Sequence, residues 1–279
     1  MKIIICLKLI TEPDVVEFDI KSEQLHDIYK VLDHIGYHLI EEALLLRKKL
    51  GGEVIGVSVA PEEGDEILKN ALIYGIDRAM RIWRDDFQHA DTWKSSLAIA
   101  EILREIGFDL VLCGTKSKDT GSGFMVSALA EHLRVPSATG IIGIEAVNDK
   151  KIVVHKKLMK GKRETYNLEL PAVLGLEEGI NEPGYVAPFS RTYRRGMGRK
   201  VELILPKLLK TEGNRLIKTL RFSQPSPRVK VGKDVSSLSI QDKLKMMRGE
   251  LGREKEELFN GSPEDAARKI FNQLKETIK

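Results

Sequence analysis

Apolar positions along this chain fall into runs that switch between two periods, and each switch marks an element. The opening "KIIICLKLI" (2–10) is almost continuously apolar and β-branched, the pattern of a buried strand. In "YHLIEEALLLRKKL" (37–50) the apolar positions Leu39, Ile40, Ala43, Leu44 and Leu46 share one helical side, and Gly51-Gly52 ends the run. "EVIGVSVAP" is a second strand closed by Pro61, "EEGDEILKNALIYG" a helix stopped by Gly75, and "RAMRIW" a short strand. "DTWKSSLAIAEILREIG" has Asp91 or Thr92 as its N-cap and Gly107 as its stop. "FDLVLCG" is the next strand and "GFMVSALAEHL" the helix that follows.

Strands alternating with helices predict an α/β fold with a mostly parallel sheet and helices on both faces. From "KIVVHKKLMKGKRETYNLELPAVLGLE" onward the period is two residues around "KGK", which predicts an antiparallel hairpin added to that sheet, then a strand after Pro171. After Pro206 the chain turns Pro/Ser-rich ("SQPSPRVKVGK") and two helical stretches follow. The last has Ser262 as N-cap, Pro263 at the first helical position, and an apolar stripe of Ala267, Ile270, Phe271, Leu274 and Ile278. The expected division is an α/β domain over 1–205 and an extended, helical arm over 206–279 whose apolar face needs a partner.

In a parallel sheet of this kind ligands bind beyond the carboxyl ends of the strands, at a switch point. Cys6, Leu7 and Lys8, Ser58–Ala60 and Gly114 stand at such ends. The last of these opens "GTKSKDTGSGF" (114–124), a loop of Gly, Thr, Ser, Lys and Asp leading into a helix. It has neither the P-loop spacing nor the third glycine of the dinucleotide fingerprint. A helix start nevertheless offers free N–H groups and partial positive charge. Thr120, Gly121, Ser122 and Gly123 let the backbone approach an anion, and Lys116 and Lys118 add charge. Asp119 would repel a phosphate and is expected to accept from loop amides or a sugar hydroxyl. The plainer reading is a capped helix behind a polar surface loop, with Lys8 solvated at its strand end.

Charge and residue usage narrow the alternatives. A net charge of +4 from 45 basic and 41 acidic residues leaves no strong footprint for nucleic acid, although basic residues cluster over Arg191–Lys200, and 6% aromatics offer no base-stacking platform. The N-terminal run is too short for a membrane span and lacks a signal-peptide cleavage site, and two cysteines make no disulfide framework; the expected compartment is the cytoplasm. The histidines have no metal-ligand spacing with nearby carboxylates; His34 and His38, one helical turn apart, read as surface imidazoles. Glu41 and Glu42 are adjacent and point to different parts of a helix surface. No metal site and no catalytic nucleophile or acid–base pair is expected.

At "LELPAVLGLEEGINEPGY" (168–185) the chain resembles the electron transfer flavoprotein β subunit. The carriers are Leu170-Pro171-Ala172-Val173 and Asn181-Glu182-Pro183-Gly184-Tyr185, supported by "IIICLK", "EEAL", "GVSVAP", "ALIYGIDRA" and "FDLVLCG". The resemblance implies a Rossmann-like fold and a heterodimer with an α subunit that holds most contacts to a redox-active FAD. It also implies an adenine nucleotide in this subunit, AMP in ordinary members and a second FAD in bifurcating ones. Carried over, nucleotide contacts fall on Cys6, Leu7, Lys8, Asp33, Val59, Gly114, Thr115, Lys116, Ser117, Asp119, Thr120, Gly121, Ser122, Gly123 and Phe124.

The chain departs from the family at three points. Its phosphate loop is short, Asp33-His34 replaces an Asn-Pro, and Pro13 or its neighbours stand where a residue near the α-subunit flavin is common. The family's partner-recognition loop, anchored by a leucine, here reads "VAPFSRTYRRGMGRK", with Val186 or Phe189 as candidate anchors. The function implied is electron transfer from flavin dehydrogenases, of the acyl-CoA dehydrogenase type, to a quinone-linked or other acceptor. The rivals are a nucleotide-hydrolysing or adenylating enzyme, disfavoured by the glycine-free "LITEPDVVEFD", and a nucleotide-sensing module without redox chemistry.

Overall fold

The computed structural model describes residues 1–12, 30–88, 90–146, 148 and 150–206, the backbone of two short strands at 17–19 and 24–26, and positions 239, 267 and 271. The Pro/Ser-rich run and most of the terminal helical stripe lie outside these residues. The chain divides into two units, Met1–Gln224 and Pro225–Lys279.

The elements, in chain order, are β1 (Lys2–Cys6), β2 (Leu9–Thr11), β3 (Glu17–Asp19), β4 (Gln24–His26), β5 (Lys30–Leu32), α1 (Ile35–Leu50), β6 (Glu53–Val59), α2 (Gly64–Tyr74), β7 (Arg78–Ile82), α3 (Thr92–Ile106), β8 (Leu110–Gly114), α4 (Met125–Leu133), β9 (Ser137–Ala146), β10 (Lys151–Lys157), β11 (Arg163–Glu169), β12 (Ala172–Leu176), α5 (Arg191–Met197) and β13 (Glu202–Ile204). The main sheet has the order β11-β10-β9-β12-β8-β1-β6-β7-β13. From β9 across to β13 its strands run parallel, while β10 is antiparallel to both β9 and β11. The fold is α/β, as the alternation predicts.

Side-chain alternation in the central strand explains why it reads as one apolar run. Ile3 and Ile5 enter a core shared with α1 and α2, and Ile4 enters a second core with α3 and α4. Both faces are therefore covered, as parallel sheets require. The helix caps fall where expected: Asp91 accepts from the Lys94 amide at 2.9 Å, and Gly75 closes α2 with φ +114°.

Four expectations change in detail. The opening run is two strands, because Leu7 and Lys8 leave the sheet and Leu9–Thr11 pairs antiparallel with β5. The hairpin does not join the parallel strands directly; it hangs on β9, a strand absent from the sequence reading. Gly140 (φ +74°) sits where the β9–β12 register shifts, and such a bulge breaks the two-residue alternation. The recognition-loop segment is partly regular, with α5 capped by Ser190 and followed by β13 on the sheet edge. Finally, α4 begins at Met125, so Gly123 and Phe124 precede the helix.

Candidate functional site

The chain runs from β1 outward through β6 to β7, then crosses back to place β8 on the other side of β1. That reversal puts the topological switch point between β1 and β8, and a cleft of about 630 Å³ opens there. Its size is within the usual range for small-molecule sites. Cys6, Leu7, Lys8, Asp33, Val59 and Gly114 line it, as do Thr115, Lys116, Ser117, Thr120, Ser122, Gly123 and Phe124. Ser58 and Ala60 are instead buried and do not line it. Gly114 allows the strand to leave close to α1: a Cβ there would meet Ile35 Cγ2 at 2.8 Å.

The Thr115–Phe124 loop is held from within and from below. The Thr115 amide and hydroxyl both donate to Leu176 O, at 2.9 and 3.1 Å, anchoring the loop to β12. The Gly121 amide donates to Ser117 O at 3.0 Å, closing a turn, and Gly121 and Gly123 hold φ of +59° and +62°. These left-handed positions are where glycine has no Cβ penalty. Lys8 is partly exposed but paired rather than free at its strand end: its Nζ donates to Asp119 Oδ1 at 2.6 Å, Ser117 Oγ at 3.2 Å and Thr120 Oγ1 at 3.3 Å. Asp119 also accepts from the Thr120 amide at 2.6 Å. Asp119 and Gly121 do not line the cleft; they shape the loop that does. Lys118 points its charge to Glu12, 2.6 Å away, while its amide donates to Asp33 Oδ2 at 3.1 Å.

The pKa values of the two carboxylates, Asp119 in the loop and Asp33 bonded to its Lys118 amide, are driven apart. Burial pushes the Asp33 carboxyl above its ordinary value, and the Lys118 amide only partly offsets this. Burial also raises Asp119, but hydrogen bonding and charge from Lys8, with help from Ser117 and Thr120, outweigh it and hold Asp119 below the usual range. Asp119 thus serves as the counter-ion of Lys8.

The opposite wall comes from α3, and sequence reading missed it. Asp91, Thr92 and Ser95 face the cleft, with the Thr92 and Ser122 hydroxyls 3.4 Å apart; Ile99 and Met125 supply apolar lining. The only advance signal was the N-cap at the same level of the sheet. At the rim Phe124, 41% exposed, stacks on Trp93 with ring centroids 6.2 Å apart. Cys6 and Cys113 also line the cleft, and the neighbouring Cys6 together with burial pushes the Cys113 thiol up.

The remaining sequence-marked residues lie elsewhere. His34 is exposed, but His38 is buried, a correction to its expected surface position: its Nδ1 lies 3.1 Å from both Asn181 O and Oδ1. Asn181 Nδ2 donates to Glu42 Oε2 at 3.0 Å and His38 O at 3.1 Å, and Glu41 accepts from the Gly184 amide at 3.0 Å. The 181–184 turn is therefore latched to α1. It projects Tyr185, 81% exposed, and Phe189, 75% exposed, while Val186 is half-buried. Arg191, Arg195 and Arg199 join Arg47 around a second groove of about 560 Å³, outside the switch point. Among the described residues no group of three His, Cys, Asp or Glu side chains could hold a metal ion, and no helix is long and apolar enough to cross a membrane.

A family model described as "Electron transfer flavoprotein domain" matches residues 26–203. The chain is similar to "Caffeyl-CoA reductase-Etf complex subunit CarD" of Acetobacterium woodii, 28% identical over 191 residues that cover 67% of this chain and 72% of that protein. It is similar to "Electron transfer flavoprotein subunit beta" of Thermoanaerobacterium thermosaccharolyticum, 26% identical over 187 residues, 66% of this chain and 71% of that one. It is also similar to the protein so described from Bacillus subtilis, 34% identical over 149 residues, 53% of this chain and 57% of that one.

Proposed function

The chain belongs to the electron transfer flavoprotein family, and on that premise we propose that it is the β subunit of a heterodimer whose α subunit carries most of the contacts to a redox-active FAD. In this role it holds an adenine nucleotide in the β1/β8 cleft and helps pass electrons from a flavin-dependent dehydrogenase to another acceptor. Its β-subunit relatives support the pairing with an α subunit. The observation that carries nucleotide binding is the loop with two left-handed glycines at the switch point of the sheet.

The residues present fit AMP. The Thr115–Gly123 loop would hold the phosphate through backbone amides and the Ser122 hydroxyl, since Ser117 and Thr120 already engage Lys8. Ile99, Val59 and Met125 offer apolar surface for the base, and the Asp33 carboxyl, which lines the same cleft, would accept from a ribose hydroxyl. Bound AMP supplies no redox chemistry, so this chain's contribution is structural: it orders the loop and excludes water from the cleft. The FAD of the α subunit supplies electron storage.

A second FAD in place of AMP is the other reading, favoured by the Trp93–Phe124 stack, whose rim position offers an aromatic face to a flavin ring. Denaturing the purified heterodimer and quantifying what is released decides between them. One flavin and one AMP per heterodimer supports the first; two flavins support the second. A heterodimer releasing no adenine nucleotide from this subunit would reject both. A chain that purifies with no flavin-bearing partner would point to a nucleotide-sensing module instead.

A further inference from the structure

The function above gives Cys6 and Cys113 no thiol chemistry; they only line the cleft. Cys6 ends β1 and Cys113 lies one residue before the end of β8. The strands are parallel neighbours with Ile5 opposite Leu112, so Cys6 and Cys113 are the next pair in register. Ile4 and Val111, two residues earlier, share the core on the α3/α4 side; Cys113 belongs to that core and Cys6 packs against it. The two side chains therefore leave adjacent strands on the same face. Neighbouring strands lie about 4.8 Å apart, within the roughly 4.4–6.8 Å Cα separation that a disulfide spans. Both residues line the cleft, and Cys6 is half-buried where Cys113 is buried.

We propose that Cys6 and Cys113 are a modification site: a dithiol that closes to a reversible disulfide by exchange with a low-molecular-weight disulfide. Cys6, the accessible thiol, attacks as its thiolate, forms a mixed disulfide and releases one small thiol. Cys113 gives up its proton and attacks the Cys6 sulfur, forming the Cys6–Cys113 bond and releasing the second small thiol. Two protein thiols lose two electrons and two protons in all, and the small disulfide is reduced to two thiols. The contact with Cys6 and burial push the Cys113 thiol up, which makes Cys113 the slower, resolving partner. The bond ties together the strand ends from which Lys8 and the Thr115–Gly123 loop depart.

Incubation of the full chain with glutathione disulfide, quenching with N-ethylmaleimide and digestion tests this by mass spectrometry. The expected product is a peptide pair linked Cys6 to Cys113, two hydrogens lighter than the reduced peptides, with loss of the maleimide adduct from both residues and recovery of both after dithiothreitol. In Cys113→Ala, with its melting temperature checked, a glutathione adduct should persist on Cys6. Wild-type chain that instead accumulates glutathione on Cys6, while Cys113 stays reduced and is alkylated only after unfolding, overturns the proposal. So does a dimer linked through Cys6.

Discussion

Replacing Gly121 and Gly123 together with alanine isolates the role of loop conformation. An alanine Cβ at Gly121 would meet nothing closer than Ser117 O at 3.9 Å, and at Gly123 its nearest neighbours are Lys116 Cγ and Thr115 O at 3.5 Å. These are ordinary contacts, so the variant introduces no collision. The cost lies in the backbone: both residues hold φ near +60°, and a left-handed L residue costs roughly 1–2 kcal/mol. The pair therefore biases the loop away from its folded form by about 2–4 kcal/mol. If the nucleotide binds only that form, affinity falls roughly 30- to 700-fold at about 1.4 kcal/mol per decade. The assay is nucleotide retained through gel filtration and released by acid, beside the melting temperature. Asparagine tolerates the left-handed region, so Gly121→Asn with Gly123→Asn should retain much more nucleotide than the alanine pair. Full retention by the alanine pair, or equal losses in both, would refute the assignment of the loop.

Asn181→Ala should destabilise the chain by about 1–3 kcal/mol, because it strips a donor from the buried Glu42 carboxylate. Burial already raises Glu42 above 4.5, so the folded chain binds this proton more tightly and stability is lost as pH rises through the folded value. The variant raises that value further, and its deficit in melting temperature should be larger at neutral than at mildly acidic pH; an equal deficit at both contradicts the account. Phe189→Asn removes an exposed ring at φ +61°, so stability should stay within about 0.5 kcal/mol while electron transfer from a dehydrogenase partner slows. Unchanged transfer kinetics would take Phe189 out of the recognition surface. In the terminal stripe, Ala267 and Phe271 are helical and exposed, and we expect deletion of Gly261–Lys279 to weaken heterodimer formation more than it lowers the melting temperature of the isolated chain. The reverse result would assign the stripe to this chain's own core.

Much of this fold is written in short-range pattern. Helices α1, α2 and α3 carry apolar stripes with glycine stops, and β1, β6 and β8 are apolar because both sheet faces are covered. The position of the cleft follows from that order together with the switch-point rule. What short-range pattern does not encode is pairing between distant residues. Lys8 looks solvated until β1 and β8 lie side by side and bring Asp119 to it. Asp91, Thr92 and Ser95 look like a helix cap and its first turn until α3 forms the far wall. His38 and Glu42 look like surface residues until the 181–184 turn folds over them. Strand β9 is hidden for a local reason, the bulge at Gly140, and α5 and β13 are too short for periodicity to register.

The latch between α1 and the 181–184 turn makes one lever of two distant-looking features. Ile35 and Gly36, in the first turn of α1, form part of the cleft wall, and the next turn carries His38, Glu41 and Glu42, which grip the turn that projects Tyr185 and Phe189. A helix rises about 1.5 Å per residue, so wall and grip are separated by only about one helical turn of stiff rod. The wall of the cleft and the base of the exposed aromatics thus share one rigid support, and a displacement of the first turn of α1 would be carried to both.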